Sequence, residues 1–198
     1  MNPFFPVDRS IASPPRKARA MPAGQAIYPA GGSGLAWRLR HGVVRLDSYT
    51  PTGEASFASL VVAGDILGCE TLLFGAYTFT ATALTHCELV PWPDGETALA
   101  GDSLLASLAQ AQKRAGEVVA LRGGQAADRV LGLIRLFTDR AGQVVLPTRQ
   151  DIADITDLRF ETISRIIKTL ERSKVLVPIK VDGVHATRSF RVDPALAG

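Results

Sequence analysis

Glu161, Ser164 and Arg165 are three hydrogen-bonding side chains set close together near the C-terminus. Arginine can donate two N–H groups to guanine O6 and N7, glutamate can accept from cytosine N4, and serine is small enough to allow close approach. In the same segment Ile163, Ile166, Ile167 and Leu170 fall at i, i+3, i+4 and i+7, a single apolar stripe on a helix. Glu161, Arg165, Lys168 and Arg172 fall on the opposite side. A helix divided in this way buries one face and offers base-reading groups on the other. Binding of double-stranded DNA through a major groove is the leading expectation.

Such a helix needs elements that hold it. Upstream, Thr148 can cap a first helix, with Asp151 in the capping-box position. Ile152 and Ile155 would face inward, and Ala153 permits close packing. The turn is Thr156-Asp157-Leu158, where aspartate tolerates the left-handed conformation less readily than glycine. The reading helix is expected over 159–173. Residues 176–181 and 184–192 then form a β-hairpin about an Asp182-Gly183 turn. Two helices followed by a hairpin make a winged helix-turn-helix, expected over 125–198 with a leading helix over 125–138. That leading helix carries Val130, Leu133, Ile134 and Phe137 on one face.

The N-terminal half has another character. Residues 1–20 are rich in proline and arginine, without periodicity, and read as a flexible tail. Residues 21–95 hold short β-prone segments at 35–39, 43–49, 56–62, 79–84 and 87–92, separated by Gly- and Pro-containing turns. This spacing predicts an antiparallel sandwich or β-barrel in an α+β chain. Residues 96–124 turn to Ala, Leu, Gln, Glu and Lys. There Leu104, Leu108, Ala111, Ala115, Val118 and Arg122 recur at alternating spacings of four and three. The row reads as a heptad-like seam between two copies of a long helix, or as the buried face of a helix packed on its own barrel. Gly123-Gly124 then breaks the helix and reads as a hinge.

Bulk properties narrow the function class. No apolar run approaches the roughly 18 residues of a membrane span, and the N-terminus lacks the apolar core of a signal peptide. A cytoplasmic protein is expected. Cys69 and Cys87 are too few to ligate an iron–sulfur cluster or a tetrahedral zinc. His41, His86 and His185 are scattered, and no nucleophile motif, phosphate loop or metal spacing occurs. The expectation is a non-enzyme without cofactor or metal. From Lys113 onward there are 15 Lys and Arg against 10 Asp and Glu, while residues 1–112 hold 7 against 9. Basic charge gathers around the helix pair, as a phosphate-binding surface requires.

The order of barrel, long helix and winged helix, with the segment TRQDIADITDLRFETISRIIKTLE, resembles the CRP/FNR superfamily of bacterial transcription regulators. Thr148, Arg149, Asp151, Ile152, Ala153, Glu161, Thr162, Ile163, Ser164 and Arg165 match its pattern, and Asp157 departs from the usual glycine. Gly42-Val-Val-Arg-Leu46 and Ala63-Gly-Asp-Ile-Leu-Gly68 look like its strand and turn motifs. The resemblance implies a cyclic-nucleotide-binding-like jelly roll and a homodimer joined through Leu104, Leu108, Ala111, Ala115 and Val118. It implies base reading by Glu161, Ser164 and Arg165, and phosphate contacts from Arg149, Gln150, Arg159, Thr162 and Lys168. The operator would be an inverted repeat of TTGA- or GTGA-like half-sites, and activation through RNA polymerase is expected.

Departures from the family bear on control. Tyr77-Thr78 stands where nucleotide-binding members carry Arg-Ser or Arg-Thr, Glu70 comes one place late after Cys69, and no Lys or Arg occurs over 46–112. Arg114-Ala115 takes the place of a nucleotide-contacting Thr-Ser pair. The chain is therefore expected to act without cyclic nucleotide. A second reading makes the barrel a small-molecule-binding module whose winged helix contacts proteins. The polar Glu161–Ser164–Arg165 face argues against it, because the core of a protein-binding surface is depleted of charge.

Overall fold

The structure, a computed structural model, describes residues 17–93, 101–181 and 188–193. The first part is built of short strands: β1 (Arg19–Met21), β2 (Ala26–Tyr28), β3 (Ala36–His41), β4 (Val43–Tyr49), β5 (Ala55–Val62), β6 (Ile66–Leu67), β7 (Thr80–Ala83) and β8 (Cys87–Trp92). The four-residue helix α1 (Thr71–Phe74) lies between β6 and β7. The strands pair antiparallel in two four-stranded sheets, ordered β1-β8-β3-β6 and β2-β7-β4-β5. Of the expected sandwich or barrel, the strands form two separate sheets and the barrel is not closed. Strand β1 begins inside the span expected as tail and runs past its end, its three residues pairing with Leu89, Glu88 and Cys87 of β8. Residues 1–16 lie outside the described region.

Side-chain alternation along the strands builds two cores. Met21, Leu39 and Leu89 from one sheet meet Val44, Val61, Ala81 and Ala83 from the other, with Tyr28 and Tyr77 among them. The two tyrosine rings stack at 3.7 Å, and the Tyr77 hydroxyl donates to the Leu35 carbonyl at 2.8 Å. A Cβ at Gly34 would collide with that hydroxyl, and one at Gly68 would lie 2.7 Å from the Tyr77 ring. Close packing leaves no slack for either, so both positions need glycine to admit the ring.

The second core begins on the other face of β4 and β5. Pairing slips by one residue between Leu46 and Asp47, so that Leu46 faces Ser59 and Asp47 faces Phe57. This irregularity keeps Phe57 on the face of Leu60 and Val62 despite its odd spacing from them. All three, with Val43, join a continuous apolar cluster with the rest of the chain. Helix α2 (Gly101–Ala120) contributes Val118, followed by Leu121, and α3 (Ala126–Phe137) contributes Val130, Leu133, Ile134 and Phe137. The sheet β10-β11-β9 closes the far side, from β9 (Gln143–Val145), β10 (Leu176–Pro178) and β11 (Ser189–Val192).

Along α2 the structure divides the heptad-like row. Leu108 is 65% exposed, and Ala111 and Ala115 are also exposed. Val118 is instead buried in the chain's own second core, and Val119, 73% exposed, continues the outward row. An α-helix turns 3.6 residues per turn rather than 3.5, so a strict heptad drifts, and the β5 face takes Val118. The Leu104 side chain, residues 94–100 and the Asp182-Gly183 turn lie outside the described residues. Among the described residues no helix is long and apolar enough to cross a membrane.

Candidate nucleic-acid interface

The helix pair consists of α4 (Arg149–Thr156) and α5 (Phe160–Arg172). Thr148 caps α4 as expected. Its hydroxyl accepts from the Asp151 N–H at 3.1 Å, and its own N–H donates back to the Asp151 carboxylate at 3.1 Å. At the other end Asp157 adopts the left-handed conformation, with φ 52° and ψ 46°, and its N–H donates to the Ala153 carbonyl. The backbone that glycine would allow is kept without glycine. Arg122 donates to the carbonyls of Ile155 (3.1 Å) and Asp154 (2.9 Å), and Arg129 to that of Thr156 (3.2 Å). These guanidiniums satisfy last-turn carbonyls that have no helical partner and place positive charge at the negative end of the helix.

Helix α5 sinks Ile163 and Ile167 completely into the second core, with Ile166 and Leu170 packed at its edge. The opposite face stays open. Glu161, Arg165, Lys168 and Arg172 are exposed, Ser164 is half-exposed between them, and with Phe160 and Thr169 they line a shallow depression. Among the described residues none of the side chains of Glu161, Arg165, Lys168 and Arg172 is engaged in a hydrogen bond or ion pair. The sequence-expected readers are therefore brought together on one surface. Phe160, 48% exposed at the start of α5, and Thr169 also join that surface, and of the two Thr169 was not expected there. Its position one turn from Arg165 was the available signal.

The expected phosphate contacts divide. Arg159, at the N-cap position of α5, and Lys168 are exposed, and Thr162 is half-exposed. Gln150 is exposed, but its amide donates along α4 to Asp154 at 2.9 Å. Arg149 is half-buried, with a buried Nη1 that has no hydrogen-bond partner among the described residues. Burial pulls its pKa below the ordinary guanidinium value, against the opposing pull of Glu171 and with the push of Arg188.

No protein-family profile matches the chain. It is 29% identical over 177 residues to the nitrogen fixation regulation protein FixK of Bradyrhizobium diazoefficiens, covering 81% of this chain and 73% of that one. The same figures hold for the transcriptional activatory protein AadR of Rhodopseudomonas palustris. Among solved structures it is similar to a CRP-family transcriptional regulator from Thermus thermophilus, with a TM-score of 0.65 and 25% identity over 90% of this chain and 94% of that one.

The αL turn generates a stability prediction. Asp157→Gly relieves a left-handed non-glycine residue and is expected to raise the stability of the chain by roughly 0.5–1 kcal/mol, because a Cβ is disfavoured there. Thr148→Ala removes the α4 cap and is expected to cost about 1 kcal/mol. Thermal unfolding of the two variants beside the parent checks both signs.

Proposed function

The chain belongs to the CRP/FNR superfamily of transcription regulators, and on that premise we propose that it binds DNA as a homodimer through α5 and activates transcription without a cyclic nucleotide. One observation carries this reading: an exposed α5 face with unengaged Glu161, Arg165 and Lys168, backed by a fully buried isoleucine face. In this reading α4 and α5 act as a helix-turn-helix. Arg165 reads guanine, Glu161 reads the paired or neighbouring cytosine, and Ser164 allows close approach. Arg159, Thr162 and Lys168, with Arg149 and Gln150 at the start of α4, meet phosphates that set register rather than sequence.

The exposed row Leu108–Ala111–Ala115–Val119 of α2 supports a partner copy of the same helix. Two copies would present two α5 helices to TTGA- or GTGA-like half-sites, arranged as an inverted repeat with centres about 34 Å apart. The name of AadR, a transcriptional activatory protein, supports activation, which we assign to contact with RNA polymerase.

Independence from cyclic nucleotide is supported by what fills the two-sheet region. A buried cyclic phosphate requires a paired cation. Arg114, the cation of α2 nearest that role, is itself buried and already committed: its Nε donates to Asp65 at 3.0 Å and its Nη1 pairs with Glu117. Tyr77, where nucleotide-binding relatives would carry a cation, instead fills its space with a stacked, hydrogen-bonded ring.

Selection of operators from random duplexes, followed by anisotropy titration, tests the reading. Arg165→Ala is expected to lose about 1–3 kcal/mol on the selected operator and to relax preference at one guanine, while Lys168→Ala weakens all sequences alike and flattens the salt dependence. Equal losses on selected and random DNA for Arg165→Ala would remove it from the reading role. Leu108→Glu places a charge in the proposed seam and is expected to give monomers by sedimentation, with operator affinity reduced accordingly. Millimolar cyclic AMP or cyclic GMP is expected to leave operator affinity unchanged; a tenfold rise, about 1.4 kcal/mol of coupling, would sink the pocket argument.

A further inference from the structure

Arg45 points away from the two-sheet core and reaches across to the helix pair. Its Nε is held by both oxygens of Asp47, at 2.8 and 3.0 Å, and its Nη1 donates to Asp154 Oδ2 of α4 at 3.1 Å, with Asp151 Oδ1 at 3.8 Å. The guanidinium also lies 5.7 Å over the Phe57 ring, and the guanidinium of Arg122 lies 5.1 Å over the same ring. Arg122 in turn holds the Asp154 and Ile155 carbonyls. One aromatic ring of β5 is thus in contact with two arginines that both grip α4.

We propose that Arg45 is a positioning residue for the reading helix: with Phe57 and Arg122 it latches α4, and through α4 the DNA-facing α5, onto the outer face of the β4–β5 pair. The consequence for DNA rests on the function proposed above; the latch itself does not.

Three arguments lead there. The first is charge. Asp47, Asp151 and Asp154 converge on this guanidinium, and Arg45 and Asp47 are nearly buried, with side chains 14% and 13% exposed. Burial works against the Arg45 charge, but its hydrogen bonds to Asp47 and Asp154 outweigh it and raise its pKa above the ordinary value. Without the guanidinium, three carboxylates would face one another across the β4–α4 contact, and α4 would be driven off. A lysine could not replace it, because the planar fork serves two sides at once while its face lies on a ring. The second is the linker. Gly124 has φ +74°, and a Cβ there would meet nothing within 4 Å, so packing at that residue does not fix the turn between α2 and α3. Side chains elsewhere contribute: Arg129 Nε donates to the Gly124 carbonyl at 3.2 Å, and Arg122 reaches on to α4. The third is direction. Ile152, Ile155, Ile163 and Ile167 bury α4 and α5 against each other and the shared core, so holding α4 holds α5. The latched arrangement leaves Glu161, Arg165 and Lys168 exposed. The contact therefore presents the reading face rather than hiding it.

The test compares full-length wild type, Arg45→Gln, Asp154→Asn and the double variant by hydrogen exchange and by anisotropy on the selected operator. Arg45→Gln is expected to speed exchange in α4 and in residues 121–126 and to weaken operator binding tenfold or more. Asp154→Asn placed on Arg45→Gln is expected to recover part of both, because it removes a carboxylate left without its cation. A merely additive loss in the double variant, unchanged exchange in Arg45→Gln, or tighter operator binding would each overturn the latch. If Arg45→Gln does not fold, Asp154→Asn alone probes the same contact from its more exposed side, with faster α4 exchange as the supporting result. If the wild type selects no operator, DNA reading fails on its own and the exchange data decide the latch.

Discussion

An eight-residue helix leaves as many backbone groups unpaired at its ends as it pairs within, and α4 is such a helix. Its existence depends on outside partners. Thr148 and Asp151 meet the N-terminal N–H groups, while Arg122 and Arg129 meet the last carbonyls. Those arginines come from the end of α2 and from α3, so the helix that buttresses α5 is completed by residues outside the helix pair. Arg122 also lies over Phe57, which ties the same set to the β4–β5 face. The proposed reading surface is therefore not a module resting on a scaffold. Its first helix, the interhelical turn and the outer face of a sheet are one packed and hydrogen-bonded unit.

The apolar arrangement follows the same logic. Two cores exist, one between the sheets and one outside them, and β4 and β5 serve both through their alternating side chains. Val44 and Val61 go inward, whereas Val43, Leu60 and Val62 go outward toward α2, α3 and the helix pair. A strand pair polar on its outer face would leave the C-terminal half without its floor. The slip between Leu46 and Asp47 adds Phe57 to this floor and sets its ring beside Arg45.

What was legible in the sequence was what depends on near neighbours. Strands β4 and β8 fall where alternation and turn residues put them, α3 buries the four residues of its expected face, and the Thr148 capping box and left-handed Asp157 are local chemistry. Strands of two or three residues such as β1, β2 and β6 carry too few positions to show a period; pairing partners far along the chain define them. The Val118 exchange for Val119 needed knowledge of which surface α2 packs on. Within the site, the open face of α5 was readable from helical spacing alone. Its supports were not: Arg45 and Asp154 are 109 residues apart, and no periodicity connects them.

The same distinction changes how the charge asymmetry should be weighed. Counting Lys and Arg in the C-terminal half treats them as one basic surface. In the folded chain Arg114, Arg122 and Arg129 donate to protein carboxylates and carbonyls, and Arg188 donates to the Leu146 carbonyl. Those charges hold the structure and are largely spent within it. The side chains of Arg159, Arg165, Lys168 and Arg172 carry no such engagement among the described residues, and they gather on and beside α5. Counterion release on DNA follows the cations that reach phosphates rather than the formal surplus. The electrostatic footprint is accordingly narrower than composition suggests, and part of it, Arg159, Arg165, Lys168 and Arg172, lies on and beside the one helix whose opposite face is locked in isoleucine.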